Sequence, residues 1–281
     1  MKIYLSPFSL TPKVRLNRTS GPGLHHGFFL MAEDELGVKY SEYFPHVGLG
    51  DQSHLEFQHT FPDPLNSYHM KILTQLRGPK LRLSQVRFKN HELWRPGLPV
   101  HSPVIKYKLA HEQDFAFLEP LRVQTRVRLD ANGLFNNHSF KKFISAVPEE
   151  LLSFIDYIED PTASLDWSEI TLPRARDFVP GKPFEFTVYK PNRSQLPPAG
   201  EKIIFSGNMG HTLGTLLAYE ELVTTGDLQE IHGLLTPDLF EEEDTNLFLG
   251  SYSESFSVNL ERARSLLRDL EKRDWSALCT I

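Results

Sequence analysis

The residue types best suited to chemistry in this sequence are three carboxylates, Asp130, Glu159 and Asp177, and three lysines, Lys106, Lys108 and Lys190. Lys106 and Lys108 are two apart, so an extended strand sends both side chains from the same face. Asp130 ends an alternating run before the turn Ala131-Asn132-Gly133, Glu159 stands before Asp160-Pro161, and Lys190 stands before Pro191-Asn192. Asp177 closes a further short run. Each therefore falls where a strand stops. Three carboxylates at successive strand ends form a hard oxygen donor set suited to Mg²⁺, with Mn²⁺ as second choice. Lysines on both flanks disfavour each other's charge, and a cation between them adds to this, so at least one should titrate low enough to serve as a base. The chemistry this predicts is proton abstraction. Taken singly, each feature has a plainer reading: Lys-x-Lys is usually a solvated strand face, and an acid before a turn usually bonds its own backbone. The ordered series of all six favours the chemical reading.

Strands must hold these groups, and their order points to a barrel. Strand-like runs fall at 104–108, 123–130, 155–159, 184–189 and 202–205, with amphipathic stretches at 140–154 and 212–222. Alternation of this kind calls for a parallel sheet with helical crossovers. No GxGxxG turn is present, so a (β/α) barrel outranks a Rossmann sheet, and barrel sites lie at the C-terminal ends of the strands. In the run 123–130, Gln124, Arg126, Arg128 and Asp130 share one face, and Val123, Val127 and Leu129 share the other.

The first part of the chain has another grammar. Residues 1–60 are β-rich, with strands expected at 2–10, 27–33 and 38–44 and a mobile Gly/Pro-containing loop at 17–27. Residues 65–95 are expected to be helical, from Leu65, Met70, Leu73 and Leu76 and then Leu81, Val86, Leu93 and Trp94. Pro96, Pro99 and Pro103 mark a joint, and 259–272 reads as a charged amphipathic helix.

Composition removes several classes. The 281 residues carry 30 Lys and Arg against 36 Asp and Glu, a net charge of −6, which argues against binding nucleic acid. The single cysteine, Cys279, allows no intrachain disulfide and suits a reducing, cytoplasmic setting. No export signal or membrane span is read. The Gly-rich turn Ser206-Gly207-Asn208-Met209-Gly210-His211 could meet an anion at a helix start, but it lacks the lysine of a P-loop. The 12 histidines form no HExxH pattern and are assigned to no metal, and Ser206 has no visible His and acid partners for hydrolase chemistry.

Three of the segments quoted so far match known motifs. Lys106-Tyr107-Lys108, Arg128-Leu129-Asp130-Ala131-Asn132 and Ile158-Glu159-Asp160-Pro161 resemble the KxK, RxDAN and IEDP motifs of the muconate-lactonising branch of the enolase superfamily. The segments 205–214 and 232–240 resemble the last two barrel strands of the o-succinylbenzoate synthase family within that branch, and 37–51 is similar to the branch's capping domain. The resemblance implies an α/β fold, a modified (β/α)7β TIM-like barrel capped by an α+β domain. The expected boundaries are 1–98 for the cap, 99–240 for the barrel and 241–281 for a segment that packs back on the cap. It further implies Mg²⁺ on Asp130, Glu159 and Asp177, catalytic roles for Lys108, Lys190 and Lys106, and substrate contacts from Arg128, Asn132, Ser206, Gly207 and Asn208. The implied reaction is syn dehydration of a succinyl-hydroxycyclohexadiene carboxylate through an enediolate, in menaquinone biosynthesis. Lys108 would move the proton and Lys190 would stand over the ring as a cation.

Two departures are visible. Asp177 has no glutamate after it, and the span from Glu159 to Lys190 is short, so the barrel is expected to be abbreviated there. An N-acylamino-acid racemase or dipeptide epimerase on the same scaffold is the alternative. Dipeptide epimerases of the branch usually carry Asp-x-Asp on the last strand, and none stands near Leu235. A barrel that has lost catalysis and serves as a binding module is the remoter alternative. The expected partner is a small carboxylate, with no nucleic acid and no membrane; oligomeric state is not legible.

Overall fold

The structure, a computed structural model, describes residues 1–13, 16, 23–109, 111, 116, 118, 125–162, 170–177, 184–235, 239–242 and 244–281. Val123, Gln124, Phe178, most of the expected loop at 17–27 and the segment 236–238 lie outside the described residues.

The chain begins with an antiparallel meander of β1 (Lys2–Leu10), β2 (His25–Asp34) and β3 (Gly37–Tyr43), then α1 (His54–Thr60) and α2 (Ser67–Arg77). Strand alternation turns Ile3, Leu5, Phe28, Leu30 and Tyr43 onto Phe57, Ile72, Leu73 and Leu76 of the helices, giving one two-layer core. A capping box starts α1, with Ser53 Oγ accepting from Glu56 N and Glu56 accepting from Ser53 N. Asn66 starts α2 by accepting the N–H groups of Tyr68 and His69, and caps of this kind are worth about 1 kcal/mol.

The expected helix over 65–95 is corrected by the structure: it stops at Arg77, where Gly78-Pro79 removes the next donor. Leu93 and Trp94 at its far end belong to a strand. That strand opens the second unit as β4 (Lys89–Asn90) and β5 (Glu92–Trp94). Then come β6 (Val104–Lys108), β7 (Arg126–Asp130), α3 (Asn137–Ala146), α4 (Glu149–Leu152) and β8 (Ile155–Glu159). The unit continues with β9 (Arg174–Arg176), β10 (Phe186–Tyr189), β11 (Lys202–Phe205), α5 (Thr212–Thr225) and β12 (Ile231–His232). The expected amphipathic stretch 140–154 is split into α3 and α4 at Pro148, which lacks the donor a continuous helix needs.

Strands β5 to β11 make one seven-stranded sheet in sequence order with parallel pairings. β12 pairs in parallel with β4, and the bonds Gly233 N to Phe205 O and Gly207 N to Gly233 O join its other side to β11. The strands thereby run round a ring with their C-terminal ends at one rim, an α/β TIM-like arrangement. Tyr157, Ala175, Val188 and Ile204 fill its interior.

The sector from β9 to β11 departs from the regular pattern. The connection 190–201 is wholly described and contains no helix, and 177–185 is shorter than a helical crossover needs. The outer strand faces here are polar instead of apolar. Arg174 pairs with Glu185, Arg176 reaches Glu201 at 3.5 Å, and Thr187 Oγ1 donates to the same Glu201 at 2.5 Å. Mutually satisfied polar groups need no helix to cover them.

The last segment carries the hairpin β13 (Phe248–Gly250) and β14 (Phe256–Val258), then α6 (Leu260–Glu271) and β15 (Ser276–Thr280). β15 pairs antiparallel with β1, Lys2 against Thr280 and Leu5 against Ser276, so the chain's end completes its first sheet. Among the described residues no helix is long and apolar enough to cross a membrane.

Candidate active site

At the rim of the ring the sheet register places Lys108, Asp130 and Glu159 opposite one another on β6, β7 and β8. Lys106, Arg128 and Tyr157 form the row beneath. Asp177 and Lys190 each directly follow their strands, β9 and β10. Five of the six residues singled out by type and spacing thus occupy consecutive strand ends, and Lys106 lies one row below them.

Lys106 Nζ lies between two buried acids, 2.7 and 2.9 Å from the Glu159 oxygens and 3.1 Å from Asp130 Oδ2. Lys108 Nζ is 3.9 Å from Asp130 Oδ2, and Lys190 Nζ donates to Asp177 Oδ2. Asp177 N in turn donates to Asp160 Oδ1 at 3.2 Å. Asn132, in the left-handed region at φ 48°, turns its amide back to Asp130 Oδ1 at 2.6 Å.

Burial and charge pull these groups in different directions. Burial would lower the Lys106 ammonium, but Asp130 and Glu159 hold it well above the usual lysine range. Burial lowers Lys108, and Lys106 and Lys190 add to this against the opposing pull of Asp130, so Lys108 stays below the ordinary value. Its side chain is also the most open of the three lysines, 32% exposed against 10% for Lys106 and 12% for Lys190. Burial pushes Glu159 up to about 7 despite Lys106, with Asp130 and Asp177 adding to the rise. Asp130, equally buried, is kept low by Lys106 and Lys108.

Among the described residues no three acidic, histidine or cysteine side chains stand close enough together to cage an ion. Ammonium groups hold the carboxylates instead, Lys106 on Asp130 and Glu159, Lys190 on Asp177. The donor chemistry nonetheless fits a hard cation. The oxygens are all carboxylate and come from adjacent strand ends, the hard donor type such a cation takes.

The expected substrate contacts divide. Ser206 and Gly207 lie at the rim beside the last strand, where a Cβ on Gly207 would come within 2.6 Å of Leu234 O. Arg128 does not face that rim. Its guanidinium crosses the lower interior to Ile231 O at 2.5 Å, Glu230 at 2.9 Å and His91 Nδ1 at 3.2 Å, and stands over the Tyr157 ring. Strand parity gave its face correctly; its row, two residues below Asp130, assigns it to the floor. Asn132 is committed to Asp130. Asn208, 4% exposed, donates to Tyr68 OH at 3.2 Å, and its backbone carbonyl meets His46 Nε2 at 2.7 Å, so it docks the first unit on the barrel.

Tyr157 was not singled out by sequence. Its hydroxyl is buried beneath Glu159 without a hydrogen-bond partner, and burial pushes it up to about 12. Its position two before Glu159 was the available signal. Glu42 was missed as well: it is 1% exposed, accepts from Gly214 N at the start of α5 at 3.0 Å, and is pushed by burial up to about 8. No local pattern marks a partner so distant in sequence.

No family model matches the chain. Its fold is similar to that of several solved enzymes. The muconate lactonizing enzyme from Pseudomonas putida superposes with a TM-score of 0.64 at 13% identity, over 94% of this chain and 98% of that one. The o-succinylbenzoate synthase from Thermosynechococcus elongatus BP-1, solved with Mg in its active site, gives 0.63 at 17% over 95% and 100%. A dipeptide epimerase from Enterococcus faecalis V583, complexed with Mg and L-Leu-L-Tyr, gives 0.62 at 13% over 92% and 96%. In sequence the chain is similar to the o-succinylbenzoate synthase of Bdellovibrio bacteriovorus, 26% identical over 300 aligned positions that cover 86% of this chain and 88% of that relative.

Proposed function

We propose that the protein is a Mg²⁺-dependent o-succinylbenzoate synthase, a hydro-lyase acting in the cytoplasm in menaquinone biosynthesis. Its substrate would be 2-succinyl-6-hydroxy-2,4-cyclohexadiene-1-carboxylate. The observation that carries this reading is the placement of Lys108 and Lys190 on opposite flanks of Asp130, Glu159 and Asp177. The sequence likeness to the Bdellovibrio synthase supports the choice of reaction.

Asp130, Glu159 and Asp177 would hold the cation. When bound, it supplies Lewis-acid stabilisation of negative charge on the substrate carboxylate. Lys108, lowered and open to the rim, takes the proton α to that carboxylate. The substrate passes through an enediolate, and Lys106 beneath the acids adds fixed positive charge as it forms. Lys108 then returns the proton to the departing hydroxyl on the same face. One C–H and one C–O bond break, the ring gains a C=C bond, and one water leaves. Lys190 stands over the ring as a cation. Ser206 and Gly207 are the rim residues left to contact substrate, since Arg128 and Asn132 are engaged within the protein and Asn208 is buried against Tyr68. Residues 1–98 with 241–281 would form the cap and 99–240 the barrel.

The test is dehydration of the cyclohexadiene carboxylate with Mg²⁺, followed by loss of diene absorbance. Folded protein that turns nothing over sinks the proposal. Racemisation of an N-acylamino acid or dipeptide is the second reading, favoured by lysines on both flanks, which can exchange an α-proton between faces. Deuterium uptake from D₂O into an N-succinylamino acid, on the same preparation, decides between them.

A further inference from the structure

The residues around Lys190 are held from outside the barrel. On β10 the side chains alternate, Val188 inward and Tyr189 outward. Tyr189 OH donates to Glu221 of α5, and Lys71 Nζ, from α2, lies 2.7 Å from that same hydroxyl and 2.7 and 2.8 Å from the two Glu221 oxygens. Gln75, one helical turn on from Lys71, donates Nε2 to Pro191 O and to Asn192 Oδ1, each at 3.3 Å. Asp51 accepts from Arg193 at 2.6 Å through Oδ1 and from His46 N at 2.8 Å through Oδ2. Asn192 Nδ2 donates to Gly214 O at 2.5 Å. Both chain neighbours of Lys190, and the two residues after them, are therefore fixed by side chains from elsewhere, and three of these anchors come from the first unit.

The barrel's own share of this task is limited to Glu221 and the Gly214 carbonyl, both from α5. In a regular barrel the helix after a strand braces its C-terminal end, and the connection 190–201 contains none. The anchors are built to be stiff: Lys71 is 3% exposed and its charge is met by both oxygens of one carboxylate.

We infer that Lys71, Gln75 and Asp51 are positioning residues for Lys190: the first unit replaces the missing crossover helix and sets where the Lys190 ammonium stands. The inference rests on the role given to Lys190 above. It makes the docking of α2 a condition of catalysis, because a misplacement of about 1 Å at a reacting group can cost 10²-fold in rate.

Lys71→Met leaves the half-buried Glu221 carboxylate without its cation and can fail to fold, so the test uses Gln75→Leu and Asp51→Asn, singly and together. Asparagine keeps an acceptor for His46 N. Two readouts are taken: kcat and KM for the dehydration, and hydrogen exchange of the Arg193 and Ser194 amides, both of which bond Lys190 O. The expected result is a kcat at least tenfold lower in the double variant with KM within twofold, and at least tenfold faster exchange at those amides. A kcat per folded molecule equal to wild type, with only the melting temperature reduced, overturns the inference. If the wild-type protein turns over nothing, the functional reading falls by itself. Exchange then decides the clamp: faster exchange supports it and unchanged exchange overturns it.

Discussion

Replacing Lys106 with methionine removes the one cation shared by two buried carboxylates while keeping much of the side chain's length. Glu159 already titrates near 7 with the ammonium present, against an ordinary 4.5, so its ionisation in the folded protein costs roughly 3 kcal/mol above pH 7. A folded value raised above the unfolded one means a contribution fully present below pH 4.5 and lost as pH rises through about 7. Methionine raises Glu159 further, since Lys106 is the main influence holding it down. It also strands Asp130, whose low value depends first on Lys106. Breaking a buried pair in this way costs about 3–5 kcal/mol at pH 8, or on the order of 10 °C in melting temperature. At pH 5 Glu159 is protonated with or without Lys106, so the deficit should shrink to what Asp130 alone contributes. Mg²⁺ should restore part of the loss at pH 8, because a ligand that binds only the folded form stabilises it by mass action. Urea unfolding of both proteins at pH 5 and pH 8, with and without Mg²⁺, reads all of this. A loss below about 1 kcal/mol at pH 8, or an equal loss at both pH values, refutes the shared-cation reasoning.

Further expectations follow from the same contacts. Lys108→Ala should lower kcat for the dehydration by about 10²–10⁴ with an unchanged melting temperature, because a general base is removed and no core volume is lost; near-native turnover would assign the proton transfer elsewhere. Arg128→Met should destabilise the fold by about 3 kcal/mol, since it leaves Ile231 O unmet at the barrel floor and takes a guanidinium from Asp156 and Glu230, yet move KM less than twofold; a large KM change would return Arg128 to the substrate. Burial holds His46 down to about 3 and His211 and His232 down to about 4, so each is neutral when folded and takes a proton on unfolding below about 6.5. Their contribution is complete above pH 6.5 and fades as pH falls towards 4, each by up to about 1.4 kcal/mol per pH unit, while Glu42 and Glu159 oppose them. The urea midpoint should therefore drop between pH 7 and pH 5, and a rising midpoint would show that the two glutamates outweigh the histidines.

What the sequence made legible was short-range. The strand ends carrying Asp130, Glu159 and Lys190 could be placed because a turn residue or proline stops each run, and the parity of two set the inward face. The helix over 65–95 was extended too far because Leu81, Val86 and Leu93 keep an apolar spacing that serves two different purposes. Leu81 packs beside α5, whereas Leu93 and Trp94 are barrel strand, and Gly78-Pro79 ahead of all three was the stop signal. The substrate contact expected of Arg128 came from the family resemblance, and strand parity, which gives a face, says nothing of depth in the barrel. The contacts that dock the first unit, Glu42 to Gly214 and Lys71 to Glu221, join residues more than a hundred positions apart and leave no local pattern.

The abbreviated sector ties these observations together. Losing a helix from a parallel barrel exposes an apolar strand face and frees a strand end, and both problems are solved here with residues visible in the sequence. Arg174, Arg176, Thr187, Glu185 and Glu201 convert the outer face into a self-satisfied polar ladder that tolerates water. They cannot solve the second problem, because their bonds run across the outer strand faces and none of them reaches Lys190. The strand end is held instead by α2 and Asp51. Shortening the barrel thus shifts structural responsibility for one lysine from the barrel to the unit that covers it. Substitutions in α2, far along the chain from the carboxylates, should therefore alter rate at least as much as they alter stability.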